Sequence, residues 1–411
     1  MARRKYLGGA EQVDLLSLLG ATADSKPRHV KCAQPRILRP TPIAPLLRWP
    51  GGKSEELKII RKCMPSAMRN YFEPFLVGGA VFLSTDDGVP AYLNDLSDEL
   101  IDFYAEVADG GSDLCQILQQ FDRLWKTIED SVDGERVRIL AACRAFNPGS
   151  EAFFGRSIDA VCGQFREEWE GLLTVSAKVC SDRLWPDIIS STCDKVSRIR
   201  KQEAAGGLFS DEDIVANITA AIKAAVYYHI RWIYNQFSNV DFGRSLRSAV
   251  FFFIREYSYA AMFRYNASGA FNVPYGGISY NKKFMADKIG HCKSPAVRAK
   301  LAAARMEKMD FGAFFAKHHP GSGDFIFVDP PYDPDYSNYG RRCFGQDDHR
   351  RLADWLLTTP ANWMLVIKST DFIRSLYFDK GVNIKEFDKK YLWTIKERNV
   401  RDVVHLMVSN Y

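Results

Sequence analysis

The sequence predicts an α/β fold in which one sheet carries the functional residues. Short apolar runs typical of buried strands alternate with helical stretches such as Asp98–Val107 and Asp347–Leu357. The strand signals lie around Tyr71, Tyr92, Phe325, Met364–Lys368 and Val403–Val408. Acidic residues follow three of these runs, and ligands of open α/β sheets bind beyond the carboxyl ends of the strands. We therefore expect Glu73, Asp95 and Asp329 to converge at one site.

Length and composition limit the possible architectures. With 411 residues, 46% of them hydrophobic, the chain can bury a substantial core as one large domain with an inserted lobe, or as two domains. No run of about 18 apolar residues occurs, so no membrane span is predicted. Residues 1–44 are predicted to form an arm, a short amphipathic helix followed by a proline-containing linker. Its basic start faintly resembles a signal peptide, but Glu11 and Asp14 argue against secretion.

Two early motifs decide between kinds of ligand pocket. Leu46–Ser54 ends in Gly-Lys-Ser, but a phosphate loop would need glycine where Leu47 stands, so none is predicted. Tyr71–Phe82 runs through an acid into a glycine turn without matching G-x-G-x-x-G, so it carries no dinucleotide fingerprint. Gly78-Gly79 alone is also compatible with an ordinary tight connection. Asp95 follows the next strand about twenty residues later, where such folds bind ribose hydroxyls, and the combination predicts a nucleoside pocket.

The most specific motif is the tetrapeptide Asp329-Pro330-Pro331-Tyr332, which directly follows the apolar run Phe325–Val328. An aromatic amine is a poor nucleophile because its lone pair is delocalised into the ring. The Asp329 carboxylate and the Pro330 carbonyl can accept its two hydrogens and draw the lone pair out, while Tyr332 stacks on a flipped base. The alternative is that the two prolines simply stop a buried strand and Tyr332 covers its end.

A mainly helical lobe is predicted at about residues 120–300. Ser210 and Asp213 have the spacing of a capping box, which predicts a helix from Asp211 toward Ile233. Residues 244–308 carry twelve basic and three acidic side chains, a net charge of +9 in a chain whose total is +5. Aromatic residues interleave with them, as a surface that tracks phosphates and stacks on bases requires. A solvated basic face over an aromatic core is the alternative.

With these motifs in this order, the chain resembles the Dam-type DNA adenine N6-methyltransferases (class alpha, D12 group). Trp49–Lys53 is similar to the family's W-x-G-G-K, and Glu73–Ala80 to its E-P-F-x-G-x-G/A, with Val77 a departure in the glycine loop. Phe263–Gly276 is similar to the R-x-N-x-x-G-x-F-N-V-P-x-G of the DNA-recognition hairpin. Arg398–Tyr411 resembles the family's last hairpin.

The likeness covers roughly Pro45–Gln119 and Ile214–Tyr411, and the stretch 121–207 matches no pattern. It implies a Rossmann-like S-adenosylmethionine-dependent methyltransferase sheet formed by residues 45–119 and 301–411. It further implies that residues 120–300 are an inserted target-recognition domain with a hairpin near 263–276.

The resemblance also implies roles for individual residues. Those expected to be catalytic are Asp329, Pro330, Pro331 and Tyr332. Those expected to hold the cofactor, S-adenosyl-L-methionine, are Trp49, Gly51, Gly52, Lys53, Glu73, Pro74, Phe75, Gly78, Gly79, Asp95, Asp310, Phe311 and Asp329. Those expected to contact DNA are Arg264, Asn266, Asn272, Arg398 and Asn399. Asn272 is equally well explained as a turn residue, because Asn-x-Pro favours a turn.

The expected reaction is direct methyl transfer to the exocyclic amine of a flipped adenine in double-stranded DNA, without a metal. Nine cysteines without a C-x-x-C pair predict neither a disulfide framework nor a zinc site. No Pro-Cys dipeptide occurs, so ring-carbon methylation of cytosine has no evident nucleophile. A cytoplasmic, DNA-associated enzyme of prokaryotic or phage type is expected, and a cognate restriction endonuclease is left open, as is the oligomeric state.

Three rival functions stay open at this point. One is amino methylation of cytosine in DNA, which such sites also perform. Another is methylation of an RNA base or a protein glutamine, for which the tetrapeptide more often starts with Asn or Ser. The third is a catalytically silent DNA-binding module, against which the intact Asp329, Asp95 and Lys53 argue. A GATC target is suggested by the resemblance alone.

Overall fold

We describe a computed structural model of the chain at residues 43–49, 51–147, 149–173, 181–332, 344–390 and 402–411. Most of the predicted arm lies outside the described residues, as do Arg398 and Asn399, for which DNA contacts were predicted. Among the residues described, no helix is long and apolar enough to cross a membrane.

In the described part of the chain, seven strands form one sheet in the order β3-β2-β1-β4-β5-β7-β6. The first five strands in chain order are parallel, β7 runs antiparallel to β5, and β6 runs antiparallel to β7. The strands are β1 Tyr71–Glu73, β2 Ala91–Asn94, β3 Ala304–Glu307, β4 Phe325–Val328, β5 Asn362–Lys368, β6 Asn383–Lys390 and β7 Asp402–Ser409. This topology confirms the predicted α/β class.

Both faces of the sheet are covered, as the continuous apolar runs of β4 and β5 require. Phe325 and Phe327 belong to one buried cluster, whereas Ile326 and Val328 belong to another. Since successive side chains of a strand point to opposite faces, the two clusters lie on opposite sides of the sheet. The second cluster contains buried residues from the helices that follow β3, β4 and β5, Leu352 among them.

Helices account for most of the remaining described residues. Those before the lobe and within it are α1 Leu57–Cys63, α2 Asp98–Ala108, α3 Ser112–Gly134, α4 Arg136–Ala145, α5 Glu151–Cys162, α6 Arg166–Leu173, α7 Leu184–Ala204, α8 Asp211–Asn235, α9 Arg244–Tyr257, α10 Ala286–Cys292 and α11 Pro295–Ala302. Those after β3 are α12 Phe311–His318, α13 Gln346–Thr358 and α14 Asp371–Tyr377. Short 3-10 turns occur at Phe82–Ser84, Gly163–Phe165, Ser181–Arg183, Tyr259–Ala261 and Ile278–Tyr280.

The helices between β2 and β3 share a core with one face of the sheet. Trp125 and Phe253 pack edge to face at 5.4 Å inside the same cluster that holds Tyr71 of β1. The predicted capping box is confirmed, because the Ser210 side chain accepts from the amide of Asp213 and the Asp213 side chain accepts from that of Ser210. Helix α8 therefore begins at Asp211, as the sequence predicts.

Candidate active site

The site lies where the strand order reverses. Strand β1 pairs with β2 on one side and β4 on the other, so the chain crosses between the two halves of the sheet here. The carboxyl ends of these parallel strands point to one edge, and a crevice at such a reversal is the usual ligand site of open α/β sheets. Glu73 ends β1 and Asp95 directly follows β2, whereas Asp329 directly follows β4. Asp310 stands three residues after β3 and is the N-cap of α12.

Two residues of the glycine turn after β1 adopt the left-handed backbone conformation, which glycine tolerates and other residues adopt only with strain. Gly79 adopts φ +64°, and a Cβ there would lie 3.4 Å from the Tyr104 hydroxyl oxygen. That hydroxyl donates to the carbonyl of Gly78 at 2.8 Å. Val77 also lies in the left-handed region, at φ 53°, which is costly for a β-branched residue. The turn is therefore held tightly in a strained form, as functional loops often are.

Asp95 fixes the turn from the neighbouring strand. Its Oδ2 accepts from the amide of Val77 at 3.1 Å, and its Oδ1 accepts from that of Ser97 at 2.9 Å. Desolvation raises the pKa of Asp95 to about 6, although these backbone hydrogen bonds oppose the shift. The residue as a whole is partly exposed.

Glu73 lies beneath the turn and is only 2% exposed. Its Oε2 accepts from the Tyr71 hydroxyl at 2.7 Å and from the amide of Phe82 at 3.2 Å. Burial raises the pKa of Glu73 well above its usual range, and the negative charges of Asp329 and Asp95 add to the shift. Glu73 is thus close enough to respond to the other two strand-end carboxyls, and the three lie at the carboxyl ends of adjacent parallel strands, as the sequence predicts. The contacts show Glu73 supporting the turn, and its contact with a cofactor stays a prediction.

Asn94 ties three strand ends together, a role that no sequence motif indicated. Its Nδ2 donates to the carbonyl of Pro74 at 3.0 Å and to that of Met309 at 2.9 Å. Its Oδ1 accepts from the amide of Met309 at 3.0 Å. The side chain is 1% exposed, so one buried amide joins the ends of β1, β2 and β3.

Lys53 reaches the tetrapeptide from the other end of the sequence. Its Nζ donates to Oδ1 of Asp329 at 2.5 Å, to the hydroxyl of Tyr332 at 3.1 Å and to the carbonyl of Gly51 at 2.7 Å. The side chains of Lys53 and Asp329 are 1% and 7% exposed, so the ion pair is buried. The contact of Lys53 with the cofactor stays a prediction, and the structure in addition places its ammonium on the predicted catalytic acid.

Tyr332 is held in a defined orientation. Besides the hydrogen bond from Lys53, its ring meets the His405 ring edge to face, at 5.5 Å and 90°. His405 is fully buried on β7, opposite Lys368 of β5. Pro330 is buried and Pro331 is exposed, so the tetrapeptide leaves the core within two residues. Sequence reasoning missed His405, because only strand pairing brings it here.

Aromatic residues line the edge between β1 and β3. Phe75 lies 5.6 Å from Phe311 and 5.5 Å from Phe344, measured between ring centroids. The guanidinium of Arg351 on α13 sits 4.4 Å from the Phe311 centroid and pairs with Asp310, Nη2 to Oδ2, at 2.8 Å. Burial would raise the pKa of Asp310, but hydrogen bonds from Arg351 and Gly312, together with the charge of Arg351, lower it.

Trp49 packs against the helical lobe. The guanidinium of the fully buried Arg255 lies 4.5 Å from the ring centroids of both Trp49 and Phe263. Its Nη2 donates to the carbonyl of Arg48 at 2.7 Å. Next to Trp49, Gly51 adopts φ +80°, and a Cβ on Gly52 would lie 3.1 Å from the Trp49 carbonyl oxygen. The predicted cofactor segment is thus joined to the region of the predicted hairpin.

The predicted hairpin at 263–276 is closed by antiparallel bridges at Ser258–Tyr275 and Tyr265–Phe271. Oδ1 of Asn266 accepts from the amide and the hydroxyl of Ser268 and from the amide of Ala270, so this side chain organises the turn. Arg264 Nε donates to Asn272 Oδ1 at 3.1 Å on the exposed surface. The DNA contacts of these residues stay predictions.

Many charges of the basic block 244–308 are joined to acids, most of which lie outside it. Arg244 pairs with Glu106 and Asp109 of the α2 region, each at 2.6 Å. Further ion pairs are Lys300–Asp87, Lys308–Asp102, Lys283–Glu256 and Lys288–Glu256. Exposed basic residues include Lys282, Lys293 and Arg305. The block therefore also joins this part of the chain to the α2 region and to the segment before β2, a use that net charge alone did not indicate.

The chemistry of this edge suits a nucleoside beside an aromatic amine. Carboxylates stand at adjacent strand ends, a close-packed glycine turn lies between them, and aromatic rings flank it. Carboxylate oxygens accept hydrogen bonds from hydroxyl and amino groups. The ammonium of Lys53 donates to both the buried Asp329 carboxylate and the Tyr332 hydroxyl, so it holds these two side chains near each other.

Comparisons with known proteins agree with this chemistry. A sequence profile of the D12 class N6 adenine-specific DNA methyltransferases matches residues 49–132 and 207–392. The chain is similar to the Type II methyltransferase M.CviBI of Paramecium bursaria Chlorella virus NC1A, with 34% identity over 164 residues, or 39% of this chain and 60% of that protein. It is similar to the Retron Ec67 DNA adenine methylase of Escherichia coli, with 33% identity over 161 residues, or 38% of this chain and 53% of that protein.

A longer match joins the chain to the Type II methyltransferase M1.LlaDCHI of Lactococcus lactis subsp. cremoris, with 22% identity over 380 residues, or 90% of this chain and 96% of that protein. The two higher-identity matches cover only 60% and 53% of those relatives. The profile leaves out residues 133–206, which hold α4 to α7. This gap coincides with the stretch that carried no motif.

Proposed function

Because the chain belongs to the D12 class N6 adenine-specific DNA methyltransferases, we propose that it methylates the exocyclic amine of adenine in double-stranded DNA. The single observation that carries the proposal is the placement of Asp329. It follows β4 at the reversal of strand order, next to the strand-end carboxyls of Glu73 and Asp95. An acceptor for an amino group and acceptors for a nucleoside therefore lie side by side.

S-adenosyl-L-methionine, when bound, supplies an electrophilic methyl group. The donor set at the edge fits this molecule, because Asp95 offers an acceptor for ribose hydroxyls beside a glycine turn in which Gly79 adopts φ +64°. The partly exposed Phe75 offers apolar surface for its base, with the buried Phe311 packed against it. Trp49, Lys53 and Asp310 complete the set proposed to surround it.

The tetrapeptide is proposed to prepare the amine for attack. Asp329 accepts one amino hydrogen and the Pro330 carbonyl accepts the other, so that the lone pair is drawn out of the aromatic ring. Tyr332 is proposed to stack on the flipped base, and its contacts with Lys53 and His405 support that role because they fix the ring before the base arrives. Positioning of this kind supplies a large share of an enzyme's rate enhancement.

Lys53 balances the charge of Asp329 before the base arrives. An ionised carboxylate in a buried position is costly unless it is paired and hydrogen-bonded. The ammonium also holds the hydroxyl of Tyr332, so one side chain aligns two of the proposed catalytic residues. We therefore place Lys53 among the positioning residues of the reaction as well as beside the cofactor.

The lobe is proposed to recognise the target through the hairpin, with Arg264 as the side chain that contacts a base. Arginine binds guanine bidentately in the major groove. The hydrogen bond that Arg264 donates to Asn272 Oδ1 restricts the orientation of the guanidinium, which supports this role.

A labelled-methyl assay tests the proposal. Purified protein is incubated with S-adenosyl-L-methionine carrying a labelled methyl group and with duplex DNA, and the digested nucleosides are separated by mass spectrometry. We expect label in N6-methyladenine. Label in N4-methylcytosine would replace the proposal by amino methylation of cytosine, and cofactor binding without any transfer would indicate a silent DNA-binding module.

A further inference from the structure

Arg351 lies at the edge of the site without belonging to any motif. It stands on α13, and its Nη1 and Nη2 donate to Oδ1 and Oδ2 of Asp310 at 3.1 and 2.8 Å. Nη2 also donates to Oδ1 of Asp348 at 2.9 Å, and the guanidinium covers the ring of Phe311 at 4.4 Å. The side chain is 51% exposed, so a ligand at this edge can reach it.

The order of the strands indicates which part of a bound nucleoside lies near Asp310. Asp329 follows β4, where the methyl group is transferred, and Asp95 follows β2, where a ribose is bound. Strand β3 is the next neighbour of β2, so Asp310 lies beyond the ribose position as seen from Asp329. A nucleoside whose ribose lies at Asp95 and whose reacting end lies toward Asp329 therefore places its base near Asp310.

Arg351 gives Asp310 a fixed charge and direction. The bidentate geometry aligns both carboxylate oxygens, and the amide of Gly312 holds Oδ1 at 2.8 Å. The guanidinium and Gly312 outweigh burial and lower the pKa of Asp310, so the carboxylate is ionised across the neutral range. The pair presents an acceptor and a donor side by side, and adenine presents an amino donor beside a ring-nitrogen acceptor.

We propose that Arg351 is a positioning residue for the cofactor's adenine, because it aligns Asp310 with the adenine amino group and donates beside it. The inference rests on the proposed function, since it requires the nucleoside of the methyl donor in this crevice. It predicts that the site prefers an adenine base over a base with an oxo group in place of the amine.

Binding measurements with two ligands test this role without any catalysis. Isothermal titration gives the Kd of S-adenosylhomocysteine and of S-inosylhomocysteine, which differ at the base. We expect Arg351→Met to weaken the adenosyl ligand by about tenfold, or about 1.4 kcal/mol, and to weaken the inosyl ligand less. Arg351→Lys keeps the charge but loses the bidentate contact, so we expect an intermediate loss and a second test should the methionine variant unfold.

Arg350→Met is a matched control. Arg350 is the preceding residue on α13, pairs with Asp347 at 2.6 Å and lies 5.1 Å from the centroid of Phe372. We expect it to bind both ligands as the wild type does. Unchanged affinities in Arg351→Met, or equal losses for the two ligands, would overturn the inference. Wild-type protein that binds neither ligand would instead overturn the proposed function itself.

Discussion

Replacing Lys53 by methionine is expected to destabilise the fold and to impair catalysis together. The ammonium is buried against Asp329, and the two side chains are only 1% and 7% exposed. Methionine preserves much of the length of the side chain and leaves the Asp329 carboxylate buried without this cation. Breaking one side of a buried ion pair costs about 3–5 kcal/mol. We expect the free energy of unfolding to fall by that amount, with methyl transfer strongly reduced at saturating cofactor.

A double-mutant cycle separates the ion pair from packing. Lys53→Met, Asp329→Asn and the double variant are unfolded in urea and followed by circular dichroism. We expect the loss in the double variant to be about 2 kcal/mol smaller than the sum of the single losses, because neither charge is left alone. Lys58→Met, at an exposed position on α1, is the control and should change stability by less than about 0.5 kcal/mol. Additive losses, or a Lys53→Met protein as stable as the wild type, would refute the proposed pairing.

Three further predictions concern the acid, the turn and the hairpin. Asp329→Asn should lower the rate of methyl transfer at saturating cofactor by at least about 100-fold; wild-type turnover would remove Asp329 from the mechanism. Because the pKa of Asp95 is raised to about 6, its charge is present above that pH and lost below it. The affinity of the wild type for the cofactor should therefore fall as pH drops from 7 to 5, and Asp95→Asn should bind weakly without that pH dependence. If the affinity of Asp95→Asn falls with pH as that of the wild type does, Asp95 is not the group that binds the cofactor. Asn272→Ala should weaken discrimination between target sequences more than DNA binding itself in a competition assay, whereas unaltered discrimination would reduce Asn272 to a turn residue.

The sequence predicted the central part of the fold because the central strands are apolar and their ends carry functional residues. Strands β1, β2, β4, β5 and β7 were located from apolar runs, and the start of α8 from its capping box. Strands β3 and β6 were missed for a physical reason. Both lie at the edges of the sheet, where partly exposed polar side chains remove the apolar pattern that marks a central strand.

The candidate site was predicted only as far as its motifs reach. Glu73, Asp95 and Asp329 could be placed together because the carboxyl ends of parallel strands share an edge. Arg351, Arg255 and His405 could not be found in this way. Their positions follow from helix and strand packing between segments far apart in the sequence, and no local spacing encodes those contacts.

We propose above that the protein methylates adenine in DNA with Asp329, at the site where the strand order reverses. The most direct measurement is single-molecule sequencing of the genome of a methylation-free bacterial host that expresses the wild type or Asp329→Asn. We expect N6-methyladenine at one recurring sequence with the wild type and none with the variant. Methylated cytosine, or adenine methylation that persists in the variant, would contradict the account.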